Sequence, residues 1–149
     1  ESRTDRYLIP TDSSDLGLKI REGCVQAKQR TGALGLRAMA AGGRVEAWRK
    51  WTLGSADERP EAGWVDVAKT RWQRSAKLLG REARCAVELS ELTVEGERWW
   101  SVCLEASGSA SGERWRVLRA SARHWRLGAL SLPPEVSEGY PAWLRGAVR

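Results

Sequence analysis

Residues 16–30, LGLKIREGCVQAKQR, hold two short alternating runs joined at a tight turn. Leu16, Leu18 and Ile20 fall on one side of an extended chain and Lys19 and Arg21 on the other, because successive strand side chains point to opposite faces. Gly23 supplies the turn. From Cys24 to Arg30 the alternation resumes, with Val25 and Ala27 on the apolar side and Gln26, Lys28 and Arg30 on the polar side. The stretch predicts an antiparallel hairpin with one aliphatic and one basic face.

The same pattern continues outward. Upstream, Ser2 to Ile9 alternates loosely and stops at Pro10, ahead of the turn cluster at 11–15. Downstream, the Gly- and Ala-rich residues 31–43 read as a loop. Arg44 to Thr52 then sets Glu46, Trp48 and Lys50 opposite Val45, Ala47 and Trp51. Residues 54–63, with Pro60, read as another loop. Trp64 to Arg71 begins as a strand, but Lys69 shares the parity of Val65 and Val67. Either a bulge re-aims the chain at Ala68, or the strand ends there and Trp72 opens a helical stretch.

Two clearer strands follow. Arg84 to Leu92 puts Cys85, Val87 and Leu89 opposite Arg84, Ala86, Glu88 and Ser90. Glu95-Gly96-Glu97 reads as a hairpin turn, and Arg98 to Ala106 returns with Trp100, Val102 and Leu104 opposite Ser101, Cys103 and Glu105. Residues 107–112 form a Ser/Gly linker. From Glu113 to Leu127 the period becomes helical, Pro133-Pro134 breaks it, and Tyr140 to Val148 forms a short final helix with Pro141 in its first turn.

About seven strands followed by helix make an α+β fold. The expected architecture is an antiparallel β-barrel or strongly curved sheet of about seven to eight strands, with C-terminal helices packed outside and the charged face turned inward. Like-charged residues on neighbouring strands repel unless an anion or carboxylates lie between them. In this arrangement Leu18, Ile20, Val25, Val102 and Leu104 are expected against helices, and Trp51, Trp100 and Trp115, in phase with aliphatics, are expected in the core.

Composition narrows the class. The 149 residues predict one domain, 1–149, and 42% hydrophobic with 30% charged residues suits a folded chain rather than a disordered one. No apolar run approaches a membrane span and no signal-peptide pattern opens the chain, which begins at Glu1 and leaves room for a trimmed leader. Cys24, Cys85 and Cys103 are isolated, with no zinc spacing and no disulfide framework, so a reduced cytoplasmic setting is expected. His124 lacks the company a catalytic pair needs. The net charge is +6, and Arg dominates the basic residues, 20 to 5 over Lys. Arg grips phosphate through a planar fork. Nine Trp with no Phe leave indoles to do the large-residue packing.

The series DRYLIP, LGLKIREG, VQAKQR and EAWRKW resembles divergent members of the CYTH, or triphosphate tunnel metalloenzyme, superfamily, and residues 140–144, YPAWL, resemble that family's C-terminal helix start. The resemblance implies a barrel whose tunnel holds phosphates on Arg and Lys and a divalent metal on Glu. Carried over by position, it implies phosphate contacts at Arg3, Lys19, Arg21, Lys28, Arg30, Lys50 and Arg84. It implies metal contacts, for Mg²⁺ or Mn²⁺, at Glu1, Glu46, Glu88 and Glu105. The first strand departs from the family's Glu-x-Glu-x-Lys: Glu1 is kept, but Arg3 and Asp5 follow it.

The expected function is binding of a phosphate-rich anion such as triphosphate, polyphosphate or a nucleotide, with metal-dependent phosphohydrolase activity implied only by the family. Two alternatives stay open. One is single-stranded nucleic-acid binding, which needs indoles exposed beside basic residues. The other is a protein-interaction domain steered by its charge.

Overall fold

The computed structural model describes residues 1–34, 43–56, 62–77, 82–126 and 137–148. Seven strands form one antiparallel sheet: β1 (Ser2–Leu8), β2 (Leu16–Arg21), β3 (Cys24–Leu34), β4 (Val45–Ser55), β5 (Trp64–Lys77), β6 (Arg84–Val94) and β7 (Glu97–Ser107). They lie in the order β4-β3-β2-β1-β5-β6-β7 and curl into a half-barrel, with β1 in the middle. Among the described residues two helices accompany the sheet, α1 (Ser111–His124) and α2 (Tyr140–Ala147). No helix among the described residues is long and apolar enough to cross a membrane.

The expected hairpin is present. Arg21 pairs with Cys24 around Glu22 and Gly23, which carry φ of +50° and +73°. Glu95 and Gly96 close the β6–β7 hairpin with φ of +49° and +84°. Positive φ at both central residues is the turn geometry whose twist matches that of paired strands. The doubtful stretch after Ala68 resolves against both expected alternatives. β5 runs unbroken for 14 residues and pairs with β6 from Val67 to Lys77 with no register shift. Hydrogen bonding along β6 overrides local ambiguity, so Trp72 stays in the strand and Lys69 keeps the parity of the valines. β3 also extends past Arg30, through an irregularity between Arg30 and Gly32.

Because opposed residues of paired strands share a face, register places every side chain on one of two faces. The inner face carries Asp5, Lys19, Gln26 and Lys28 on one half and Val67, Lys69, Glu88 and Cys103 on the other. Curling brings these halves together: the charge of Lys28, on β3, acts on the Cys103 thiol, on β7.

The two helices take different seats. α1 packs outside, burying Val117 and Leu118 against Ala83 and Cys85, with Leu104 and Ala106 beside them. Val45 of the edge strand β4 reaches the same cluster. α2 sits on the inner face, where Leu144 is buried with Val65, Val67, Leu92 and Val94. A Cβ at Gly17 would stand 3.0 Å from the Pro141 ring, a tight contact, so glycine eases the close approach of α2 to β2.

The outer face is therefore less covered than the alternation suggests. Leu104 meets a helix, whereas Leu18, Ile20, Val25 and Val102 are half-buried and belong to neither helix-bearing core cluster. Trp115 is half-buried beside α1's cluster, but Trp51 and Trp100 are exposed. Two helices are too few to roof seven strands, and one of them serves the inner face.

Leu144 is the apolar anchor of α2. Truncating a buried Leu to Ala costs about 2–5 kcal/mol. Leu144→Ala is expected to lose that much in urea denaturation, with greater protease sensitivity confined to the C-terminal segment. Loss below 0.5 kcal/mol, as for a surface change, would mean α2 does not hold the inner face.

Candidate functional site

The inner face centres on Asp5, which is 1% exposed at the midpoint of the sheet. Its carboxylate accepts hydrogen bonds from Lys19 Nζ at 2.8 Å and from Arg21 Nε at 3.0 Å and Nη2 at 2.8 Å. Arg3 Nε at 3.4 Å and Tyr7 OH at 3.5 Å approach from its own strand. Burial alone would raise the Asp5 pKa, but the bonds from Arg21 and Lys19 outweigh it and hold the carboxyl well below its usual range. Burial also drives the Tyr7 phenol far upward, so it stays protonated.

One carboxylate does not neutralise this many cations. Burial, helped by the charges of Arg21 and Arg3, pulls the Lys19 ammonium down to about 8 despite its contact with Asp5. The cluster carries a surplus of positive charge.

A second cluster lies on β5 and β6. Lys69 Nζ donates to Glu88 Oε1 at 2.6 Å and to the Tyr140 hydroxyl at 3.1 Å, and Ser90 Oγ donates to the same Glu88 oxygen at 3.0 Å. Burial opposes both charges, but contacts win: Lys69 holds Glu88 below the usual carboxylate range, and Tyr140 together with Glu88 holds Lys69 above the usual lysine range. Arg71 binds Glu88 at 3.4 Å and also Glu1, which binds Arg3 in turn. Tyr140 stacks on Tyr7 at 5.6 Å between centroids. The contacts thus form a closed circuit from Asp5 through Arg3, Glu1, Arg71, Glu88, Lys69, Tyr140 and Tyr7 back to Asp5.

At the β4 edge, Glu46 accepts from Arg30 at 2.8 Å and from Trp48 Nε1 at 3.0 Å, while Arg30 also binds Asp15. Arg44 stands 4.0 Å from Glu46. These groups flank a shallow hollow of about 350 Å³ lined by Asp15, Arg30, Thr31, Gly32, Ala33 and Arg44.

All seven expected phosphate contacts share the inner face, as their parity implied. Their states differ. Arg3, Lys19 and Arg21 are occupied by Asp5, and Arg30 by Glu46 and Asp15. Lys28 and Lys50 lie directly opposite each other on β3 and β4, both exposed, and among the described residues neither has a carboxylate partner. Among the described residues Arg84 also has no carboxylate partner. Gln26 Oε1, on the same face beside Lys28, is buried with no hydrogen-bond partner, an acceptor open to a water or a ligand hydroxyl.

The four carboxylates expected to hold a metal do not gather. Arg71 separates Glu1 from Glu88 and binds both, Glu46 lies on the opposite edge under Arg30, and Glu105 lies near the other edge on β7. No group of three His, Cys, Asp or Glu suited to a metal ion exists among the described residues. Carboxylates already bound to cations do not fit the oxygen cage that Mg²⁺ or Mn²⁺ requires. Cys103 touches solvent, yet the protein around it pushes its thiol up to about 11. His124 is exposed against Trp125 on α1, outside the circuit.

The residues that reading by sequence left out are Asp5 as the hub, Lys69, Arg71, Tyr7 and Tyr140. Lys69 announced itself by sharing the parity of Val65 and Val67. Asp5 stood where the family pattern has a Lys, and the structure makes it the counter-charge of the basic strands. No family model, curated protein or solved structure matches this chain.

Asp5 makes a prediction about pH. Its folded-state pKa lies below the ordinary 3.8, so its stabilisation is complete above that value and is lost as pH falls below it. Removing one partner of a buried ion cluster costs about 3–5 kcal/mol. Asp5→Asn is expected to lose that much in urea denaturation at pH 7, with the gap to wild type narrowing steadily below about pH 4. A gap independent of pH would show that Asp5 acts by shape rather than charge.

Proposed function

We propose that the inner trough binds a phosphate-rich anion, such as triphosphate, polyphosphate or a nucleotide polyphosphate, and that Lys28 and Lys50 make its first contacts. The observation that carries this reading is the Lys28–Lys50 pair, which has no carboxylate partner among the described residues. Two like charges directly opposed on a ladder destabilise the sheet unless something negative lies over them. Deeper in the same trough, Arg3, Lys19 and Arg21 share the single carboxylate of Asp5, and burial lowers the Lys19 pKa.

A concave, charged wall concentrates field lines and draws in multivalent anions. A chain of phosphates presents several negative groups in a row, so one ligand can span Lys28 and Lys50 together. Asp5 keeps Arg21 and Lys19 aligned and partly satisfied, which limits how tightly they grip a ligand.

The resemblance to the triphosphate tunnel enzymes implies hydrolysis with Mg²⁺ or Mn²⁺, but the carboxylate arrangement does not fit that requirement. The reading is therefore binding without turnover.

Tripolyphosphate is expected to raise the melting temperature; at 100 times its dissociation constant a ligand adds about 2.7 kcal/mol. Lys28→Ala and Lys50→Ala are each expected to remove much of that shift, and together nearly all of it, without lowering the unliganded melt. No shift at millimolar ligand, or a shift indifferent to both variants, would overturn the reading. Phosphate release with Mg²⁺ or Mn²⁺ is expected to stay at background.

A second test follows from Lys19. Its ammonium is charged below about 8 and neutral above it, so anion affinity is expected to weaken as pH rises through that value. Lys19→Arg, which stays charged, is expected to flatten the profile. Calorimetric titrations between pH 7 and pH 9 read both effects.

A further inference from the structure

On the outer face, the indoles of Trp72 and Trp100 stack on each other with centroids 6.0 Å apart and planes 15° from parallel. They are 51% and 59% exposed, and Leu89, on the strand between them, is 42% exposed. Neither core cluster includes them. In a stacked pair each ring has one face against its neighbour and one turned away, and here the outward faces reach water. Large apolar groups left this open on a folded sheet mark a contact surface.

Register shows what surrounds the pair. Arg74 stands level with Val87, Trp72 with Leu89, Trp100 with Glu91, and Arg98 with Thr93. Strand spacing and rise then set Arg74, Trp72, Trp100 and Arg98 along a diagonal about 22 Å long, crossing from β5 to β7. The acid within it, Glu91, is tied to Arg98 at 3.1 Å, and the Arg98 side chain remains 72% exposed. Leu104, level with Val87, touches the cluster of α1, a helix that carries Arg114, Arg116, Arg119 and Arg123.

We infer that this outer face is a stacking platform for single-stranded nucleic acid, with Trp72 and Trp100 taking bases and Arg74 and Arg98 taking the flanking phosphates. Aromatic side chains that stack bases beside cations that track the backbone are the physical basis of sequence-tolerant single-strand binding. The diagonal accommodates about four nucleotides, the low end of such sites. An acidic or purely apolar protein partner would leave one half of this surface unmatched, the indoles in the first case and the guanidinium ends in the second. The site is separate from the trough, because Trp72 and Trp100 have the opposite parity to Lys69 and Cys103.

The test uses a labelled oligothymidylate twelve nucleotides long, read by fluorescence anisotropy with the intact chain. Wild type is expected to bind it at low salt and to prefer it to a duplex of equal length. Trp72→Ala and Trp100→Ala are each expected to weaken binding about fivefold to a hundredfold, the range for loss of one stacked base. Trp100→Phe, which keeps an aromatic face, is expected to retain most of the affinity. Arg74→Gln is expected to shallow the salt dependence by about one phosphate contact, and Glu91→Gln to strengthen binding by releasing Arg98. Trp72→Ala and Trp100→Ala are expected to leave the tripolyphosphate shift unchanged, which separates this result from the fate of the trough. Equal binding of an abasic strand, or tryptophan variants that bind as wild type does, would overturn the inference. So would a dimer in sedimentation that dissociates on Trp100→Ala, since a second copy would then own the surface.

Discussion

A single buried carboxylate organises the inner face. Asp5 lies at the centre of the middle strand, and the basic groups of β2 turn toward it rather than toward one another. Without it, Lys19 and Arg21 would share a partly dehydrated space with Arg3, and the counter-charge left would be Glu1 on Arg3. Burying cations with too little negative charge is costly, and a flatter sheet would let each of them reach water. The curl and the ion cluster therefore depend on each other: curling buries the cations, and Asp5 makes their burial tolerable.

The same carboxylate limits what the trough can do. It satisfies the deepest cations internally, so the positive charge left for a ligand sits nearer the rim, at Lys28 and Lys50. The carboxylates on the other half play a matching part for Lys69 and Arg71. α2 closes one end by wedging Leu144 among the valines and resting the Tyr140 hydroxyl on Lys69. What results is an interior of linked ion pairs with Lys28 and Lys50 exposed at its margin. The outer face has a different chemistry, with aromatic and aliphatic groups open to water and arginines at the edges.

Much of the site was readable because a strand's period is two and charge is costly on the wrong face. Lys19, Arg21, Lys28 and Arg30 had to share a side whatever the strand order, and Glu46 with Lys50, and Glu88 with Arg84, likewise. Burial was harder to read. Trp100 alternates with Val102 and Leu104 as a core residue would, yet only Leu104 lies under a helix. Periodicity reports which residues face together, and how much roof lies over them depends on helices elsewhere in the chain. The strand beyond Ala68 was illegible for a related reason, since a ladder to β6 decides it and no local signal does.

Alternation along each segment was thus enough to establish the antiparallel strands, their two faces and the turns at Gly23 and Gly96, because these depend on neighbours a few residues away. Partnership was decided in three dimensions. Asp5 meets Lys19 and Arg21 across separations of 14 and 16 residues, Lys69 meets Glu88 across 19, and Tyr140 reaches Lys69 across 71. Strand order puts β1 between β2 and β5, and curvature brings β3 toward β7. Charges interact through distance in space and the water excluded between them, so only the folded sheet could assign Asp5 to the cations of β2 and set Lys28 opposite Lys50 with no carboxylate partner among the described residues.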